Sequence, residues 1–413
     1  MNPEQAMTLL TREPARVGRW CGYPLLTDEL HGGWLREMIN GKEDMTLLAH
    51  RGSYKTTCIA LALAIHCLIH PNRSALFFRK TEEDAQEIIR QVRLILESEA
   101  MRVISQGLYG KSCMVRKSTV SALTLDCYSA PRGAAQLQAG GIGESVTGRH
   151  GELIVTDDIV NLKDRISAPE REQTRRFYME LQNIRSPGGR IINTGTPWHP
   201  EDAISLMPNV SRWDWRRTGL LGREEIARRR RSMSPSLFAA NYELRHLADE
   251  DAWFREAPRF FEDGSRLRDG IAHVDAAYGG GDCTALTLAR REGDELLLYG
   301  RLWKKSITDC LEEITAVCRE YRCEPVWCET NGDKGWAARE LRRLGIAARC
   351  YAERMNKQVK ISTYLKAAWP DIRFLQNTDP VYLAQILDYT DRAEHDDAPD
   401  SAACVCRMLG RGR

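Results

Sequence analysis

The segment from Met45 to Ile69 constrains this chain most. MTLLAH (Met45–His50) reads as an apolar strand, and Thr56–His70 as a helix apolar on most sides. A few polar residues join them, AHRGSYKTT counted from Ala49 to Thr57. A strand that runs through a short loop into a helix points the first helical N–H groups at the loop, where they can hold an anion. The pattern then repeats. SALFFRK reads as a strand, EEDAQEIIRQVRLILES as an amphipathic helix, and VSALTLDCYSA, ELIVTDD and GRIINTG as further strands. Strands that alternate with helices predict a parallel α/β sheet.

At 413 residues the chain is too long for one ordinary core, so two domains are expected. The pattern breaks in LADEDAWFREAPRFFEDGS, which is acidic, aromatic and poorly periodic. The expected division is a first domain over 1–247, a junction over 248–265 and a second domain over 266–413. Beyond the junction, IAHVDAAY reads as a strand and ALTLARREGDELLLYGRLW as a hairpin turning near Glu292–Asp294. A helix over Ile307–Tyr321 and the strand PVWCET follow. Antiparallel strands first, then β-α alternation, is the order of an RNase H-like core with a mixed sheet.

Composition excludes several classes. With 43% hydrophobic and 28% charged residues the chain reads as soluble and globular. Its net charge of +2 makes any nucleic-acid contact a matter of local patches. The 13 cysteines form no CxxC pair and are odd in number, so they read as reduced, mostly buried thiols. The longest apolar run, Cys58–Ile69, is interrupted by His66 and is too short to span a bilayer. The first twenty residues contain no apolar signal core. A cytoplasmic protein without a membrane partner is expected.

Ala49–Thr57 sits where a Walker A phosphate loop belongs, with Gly52 and Ser53 in the loop. There Lys55 would reach the β- and γ-phosphates of ATP and Thr56 would hold Mg²⁺. The match is degenerate, with Ala49 and Tyr54 standing at the two glycine positions. Alone, it is balanced by an ordinary strand-loop-helix with a solvated lysine. GELIVTDD (Gly151–Asp158), about a hundred residues on, has the placement of a Walker B strand. Asp157 would hold Mg²⁺ and Asp158 would polarise water, unless the pair merely caps a helix. RIINTGTPW ends in Thr194-Gly195-Thr196. These hydroxyls suit a γ-phosphate sensor, although alone they read as a plain turn.

Loop, acid pair and TGT in this order resemble the ATPase half of phage terminase large subunits. The segments GGIGESVTGRHGELIVTDD and MSPSLFAANYEL share that resemblance. It implies a P-loop (RecA/ASCE-like) ATPase domain, and it gives Arg51, four residues before Lys55, the role of an arginine finger in cis. Tyr54 for glycine and Asp158 for glutamate are departures from the family pattern. The family's upstream aromatics contact adenine, which singles out Trp20–Trp34 with Tyr23 and Leu30. Core aromatics are an equal reading there.

In the second half Asp275 lies in an apolar strand, Glu329 ends another, and EHDDAPDSAACVCRML opens an apolar helix with Asp396, Asp397 and Asp400. A carboxylate in an apolar strand is costly unless paired or metal-bound. Hard oxygen donors suit Mg²⁺ or Mn²⁺, and two ions about 4 Å apart can drive phosphodiester hydrolysis. HDDAPDS and the following helix resemble the terminal motif of terminase nucleases. By that resemblance Asp275, Glu329 and Asp400 are the metal ligands, Asp397 is a fourth ligand or supports them, and His395 orients water or phosphate. Arg228–Arg231 read as a solvated face. Lys304, Lys305, Arg339, Arg342, Arg343, Lys357 and Lys360 flank the acids and suit sequence-independent phosphate contacts.

The resemblance spans roughly Leu47 to Met408. It implies an enzyme that hydrolyses ATP to move double-stranded DNA into a procapsid and cuts concatemeric DNA. The implied partners are DNA, a portal protein and a small terminase subunit. The implied assembly is a ring of copies on the portal, compatible with a monomer in solution, and the implied place is the cytoplasm of a bacterial host. Two other readings stand beside it: another ATPase-nuclease of repair or defence, and a non-catalytic DNA-binding scaffold with decayed sites.

Overall fold

In the computed structural model the apolar runs become strands of two separate sheets. The structure describes residues 1–130, 133–144, 146, 148–233, 235–246, 253, 254, 256–279, 283–390, 393 and 395–410. The chain divides into two compact units, Met1–Gly222 with Ala239–His246, and Arg223–Phe238 with Leu247–Arg413. Of the segment read as a junction, residues 248–252 and 255 lie outside the described residues. No helix among the described residues is long and apolar enough to cross a membrane.

The first unit holds β1 (Met45–Ala49), β2 (Ala75–Arg79), β3 (Val115–Ser118), β4 (Ala122–Leu125), β5 (Leu137–Gly141), β6 (Gly151–Asp157), β7 (Arg185–Gly195) and β8 (Val210–Trp213). They form one eight-stranded sheet in the order β3-β4-β5-β2-β6-β7-β1-β8. From β5 to β8 every pairing is parallel. Of the segment VSALTLDCYSA, read as a strand, Ala122–Leu125 forms β4, which pairs antiparallel to β5, and β3 adds an antiparallel edge that was not read in the sequence. All five residues of β1 are buried, as a parallel strand covered on both faces requires. The helix Lys55–Ile69 buries eleven of its residues, almost every turn of it apolar all round. One strand, β7, separates β1 from β6, which is the RecA/ASCE-like arrangement of a P-loop domain. Parallel strands send the loops after β1, β2, β6 and β7 to one edge of the sheet, where ligands of such sheets bind.

The second unit holds β9 (Arg259–Phe261), β10 (Ile271–Asp275), β11 (Thr284–Glu292), β12 (Glu295–Trp303), β13 (Val326–Glu329), β14 (Ala348–Tyr351) and β15 (Ile372–Leu375). Their order is β14-β13-β10-β11-β12-β15-β9. The pairs β10–β11 and β11–β12 are antiparallel, whereas β13 runs parallel to β10 and β14 to β13. Taken by first appearance from β10, this is the five-strand order of an RNase H-like sheet, extended by β15 and β9. Glu292 pairs with Glu295 around Gly293-Asp294, and Gly293 takes φ +59° to close the turn. Alternation sorts the faces. Val274, Leu286, Leu288 and Cys328 join the core with Ile307, Ile314 and Cys318 of the helix Ile307–Tyr321. His273, Asp275, Trp327 and Glu329 occupy the alternate positions. The helix Asp397–Met408 is buried along ten of its residues.

Candidate functional site

The loop after β1 carries its strain at two residues. Gly52 has φ +85°, and Tyr54 has φ +63° and ψ +18°, the left-handed region. Glycine takes this conformation freely, whereas a tyrosine is strained in it by about 1–2 kcal/mol. The fold therefore keeps the turn that a second glycine would make and holds it from outside. The Tyr54 ring meets His31 edge to face at 5.9 Å. His31 Nδ1 accepts from the Thr27 N–H at 2.9 Å. Its proton is then on Nε2, which donates to the Ser53 carbonyl at 3.2 Å. Burial lowers the His31 pKa, which favours this neutral form. This support for the loop left no motif in the sequence.

Lys55 opens the helix, is 7% exposed, and places Nζ 3.2 Å from Asp158 Oδ1. Asp157 ends β6, fully buried. Its Oδ2 accepts from Thr56 Oγ1 at 2.9 Å and its Oδ1 from Thr194 Oγ1 at 2.5 Å. The structure thus brings Lys55, Thr56, Asp157, Asp158 and Thr194 together. Asp158 has φ +48° and donates its N–H to the Thr194 carbonyl at 3.0 Å, so the backbone turns sharply after the strand. Burial of Oδ1 raises the Asp158 pKa, against the pull of Lys55 and with the push of Asp157, while part of the side chain stays open to water. A carboxylate with a raised pKa beside a lysine suits a proton acceptor.

Other expected members stand apart. Thr196 is buried and accepts from Trp198 Nε1 at 3.1 Å. Arg51 is exposed, and its N–H donates to the Asn241 carbonyl at 2.8 Å. Ser53 is buried, and its hydroxyl has no hydrogen-bond partner among the described residues. Of the upstream residues singled out, Trp34 and Leu30 are core residues and Trp20 is exposed beneath the Arg16 guanidinium. One residue was missed. Arg79, at the end of β2, reaches Asp157 Oδ2 through Nη2 at 2.8 Å and Nε at 3.1 Å. No local motif marks it. It arrives because β2 is the neighbour of β6 in the sheet.

In the second unit Val274 is in register with Cys328, so the next residues, Asp275 and Glu329, end adjacent parallel strands side by side. Asp400 lies in the first turn of the terminal helix, 1% exposed. Ser401 anchors that turn to β10, since its Oγ meets His273 Nδ1 at 3.0 Å and accepts from Thr287 Oγ1 at 2.8 Å. Burial, then repulsion by Asp400, pushes the Asp275 carboxyl up to about 7. Burial also raises the Glu329 pKa, with Lys360 opposing and Asp400 adding to the rise. Asp275 Oδ2 is buried with no hydrogen-bond partner among the described residues. An orphaned acid oxygen among mutually repelling carboxylates is what a divalent cation neutralises, so the donor set fits Mg²⁺ or Mn²⁺. The oxygens of Asp275, Glu329 and Asp400 do not all lie within 4.8 Å of one another, a spacing wider than one compact ion site.

Asp397 is 7% exposed and accepts from Gln385 Nε2 at 3.2 Å and from the Cys283 N–H at 3.4 Å. His395 Nε2 sits 3.1 Å from the Arg231 carbonyl. The basic cluster needs correction. Lys360, expected among the phosphate-tracking residues, is fully buried, with Nζ 2.8 Å from Asp400 Oδ1 and 3.2 Å from Glu353 Oε2. It ends the helical turn Lys357–Lys360 and leads directly into the π-helical stretch Ile361–Lys366. Lys357 pairs with Asp396 at 2.9 Å, Lys305 with Glu313 at 3.4 Å, and Arg343 with Glu340 at 2.9 Å.

No protein-family model matches the sequence, and no curated protein matches it. Among solved structures, the large terminase of a thermophilic bacteriophage is 10% identical, with 91% of this chain and 98% of that chain covered at a TM-score of 0.38. The HK97 bacteriophage large terminase is 13% identical, with 94% and 92% covered at a TM-score of 0.40. The large terminase nuclease of thermophilic phage G20c is 15% identical, with 37% of this chain and 92% of that chain covered at a TM-score of 0.28. The chemistry assigned to each site rests on its own residues. Solved structures that this chain is similar to over most of its length include large terminases.

Proposed function

We propose that this chain is a large terminase subunit, an ATP-driven motor for double-stranded DNA joined to a metal-dependent DNA nuclease. The observation that carries the proposal is the presence of two unlike acid sites in one chain. Asp157 and Asp158 face a lysine and a threonine at the start of a helix. Asp275 and Glu329 end neighbouring strands of an RNase H-like sheet, with Asp400 close enough to raise the pKa of both.

In the motor Lys55 binds the β- and γ-phosphates of ATP, within the loop of Gly52 and Ser53. Thr56 and Asp157 would hold Mg²⁺, which would offset phosphate charge. Asp158 orients water and takes its proton. Thr194, hydrogen-bonded to Asp157, reads the state of the γ-phosphate, and Thr196 carries that reading to Trp198. Arg51, exposed on the loop, supplies a positive charge to the γ-phosphate. In the nuclease Asp275, Glu329 and Asp400 would hold Mg²⁺ or Mn²⁺, with Asp397 supporting them, and the bound metal would supply water activation and a counter-charge for phosphodiester cleavage.

The motor is assigned to the first unit and the nuclease to the second, which also takes in Arg223–Phe238. The partners are duplex DNA, a portal protein and a small terminase subunit, and the working form is a ring on the portal in the host cytoplasm. Purified protein with Mg²⁺ or Mn²⁺ is expected to nick supercoiled plasmid and to hydrolyse ATP faster with DNA. Asp275→Ala should end cutting and spare ATP hydrolysis, and Lys55→Ala should do the reverse. Normal cutting by the Asp275 variant would sink the nuclease assignment. Normal ATP turnover by the Lys55 variant would sink the motor.

A further inference from the structure

Cys113 and Cys127 flank the β3–β4 hairpin at the edge of the first unit's sheet. The Asp126 N–H donates to the Met114 carbonyl at 2.9 Å, and the Met114 N–H donates to Asp126 Oδ1 at 3.2 Å. These two bonds close the hairpin's base. The register slips between Val115 and Lys117, a bulge that bends the strand there. Cys113 is fixed from behind, since its N–H donates to Ser105 Oγ at 3.0 Å. The outcome is that both sulfurs and a carboxylate oxygen of Asp126 lie within 4.8 Å of one another. Among the described residues no other three His, Cys, Asp or Glu donors come so close together.

We propose that Cys113, Asp126 and Cys127 bind a thiophilic divalent metal of the zinc type, with water as the fourth ligand. Tetrahedral zinc with Zn–S bonds of about 2.3 Å sets its sulfurs about 3.8 Å apart, so small rotations of these side chains complete the site. Two thiolates and one carboxylate select zinc over magnesium. Cys113 is buried, whereas Cys127 and Asp126 are half-buried, which leaves the fourth position to solvent. Lys111 sits 3.5 Å from Asp126 with its side chain 60% exposed, a long surface pair that yields at little cost. Within the hairpin β4 buries Leu123 and Leu125, whereas no residue of the edge strand β3 is buried, so the metal pins the less anchored strand. An edge strand held by so few apolar contacts opens first. The spacing of these donors across a hairpin gives no CxxC signature, so the site is legible only in three dimensions.

The test uses the full chain, reduced and stripped of metal, and titrated with Cd²⁺. Thiolate–cadmium bonds absorb in the ultraviolet and carboxylate sites do not, so the acids of the second unit stay silent. The expected result is a band that saturates at one Cd²⁺ per chain and is displaced by Zn²⁺. Cys127→Ser should abolish it, and Asp126→Asn should weaken binding by about tenfold or more. Cys127 is half-buried, so its serine variant should fold, which circular dichroism checks. Zn²⁺ should also slow proteolysis within the hairpin in an Asp275→Asn/Asp400→Asn background. An identical band in the Cys127 variant overturns the proposal. So does the finding that the two thiols oxidise to a disulfide and take up no metal when reduced.

Discussion

Replacing Lys360 by methionine removes one charge and keeps most of the stem's volume. Lys360 is fully buried between Asp400 at 2.8 Å and Glu353 at 3.2 Å. Glu353 retains Arg407 at 2.9 Å. Asp400 retains no other ion pair among the described residues, and its side chain is 2% exposed. A buried ion pair that loses one partner costs about 3–5 kcal/mol, most of it the stranded charge. Because Glu353 keeps Arg407, the loss should fall at the lower end, about 3 kcal/mol. The assay is urea unfolding of the full chain in chelator, followed by tryptophan fluorescence. The double variant Lys360→Met/Asp400→Asn should recover most of the loss, because no charge is then stranded. Mn²⁺ should recover part of it in the single variant, where Asp400 is still charged. A single variant within about 0.5 kcal/mol of wild type, or a double variant no better than the single, would refute the reasoning.

Three further outcomes follow from the same geometry. Arg79→Ala leaves Asp157 buried with two hydroxyl donors, so Mg²⁺ should raise the variant's thermal midpoint more than the wild type's; equal gains would mean that Arg79 does not balance that charge. Tyr54→Ala should destabilise more than Tyr54→Gly, by about 1 kcal/mol in chemical denaturation, because only glycine relieves the left-handed backbone; the reverse ranking would mean that the tyrosine is unstrained. The Asp275 carboxyl, ordinarily at 3.8, stands at about 7. With the folded pKa raised, its contribution to stability is complete below the unfolded value and is lost as pH rises from about 4 to about 7. Metal must displace that proton, so Mn²⁺ affinity measured by calorimetry should climb with pH up to about 7 and then level off; a flat profile would contradict the assignment.

Much of this arrangement was legible in residue order. The helix read as Thr56–His70 forms over Lys55–Ile69, and the helix read as Ile307–Tyr321 forms with those bounds. Apolar periodicity and strand-loop-helix punctuation are local, so they survive in one dimension. The acids Asp157, Asp275 and Glu329 were visible because a charge in an apolar strand is anomalous wherever it occurs. The strands β14, β15 and β9, each three or four residues long, were not read in the sequence. The residues that balance or anchor the acid-bearing elements were hidden for another reason. Arg79, Lys360 and Ser401 look like ordinary polar residues until neighbouring strands and the terminal helix bring them within hydrogen-bonding distance.

By itself the sequence determined the two α/β halves, the phosphate loop at the head of a buried helix, and the acids that end the strands. It did so because burial, helix periodicity and the cost of an isolated charge act residue by residue. Tertiary structure alone decided that Tyr54 adopts the glycine conformation, that Arg79 and Lys360 neutralise buried carboxylates, and that Cys113, Asp126 and Cys127 meet. Those outcomes depend on which strands are neighbours and in what register. Charge balance at a buried site is a sum over atoms that lie close in space and far apart in sequence.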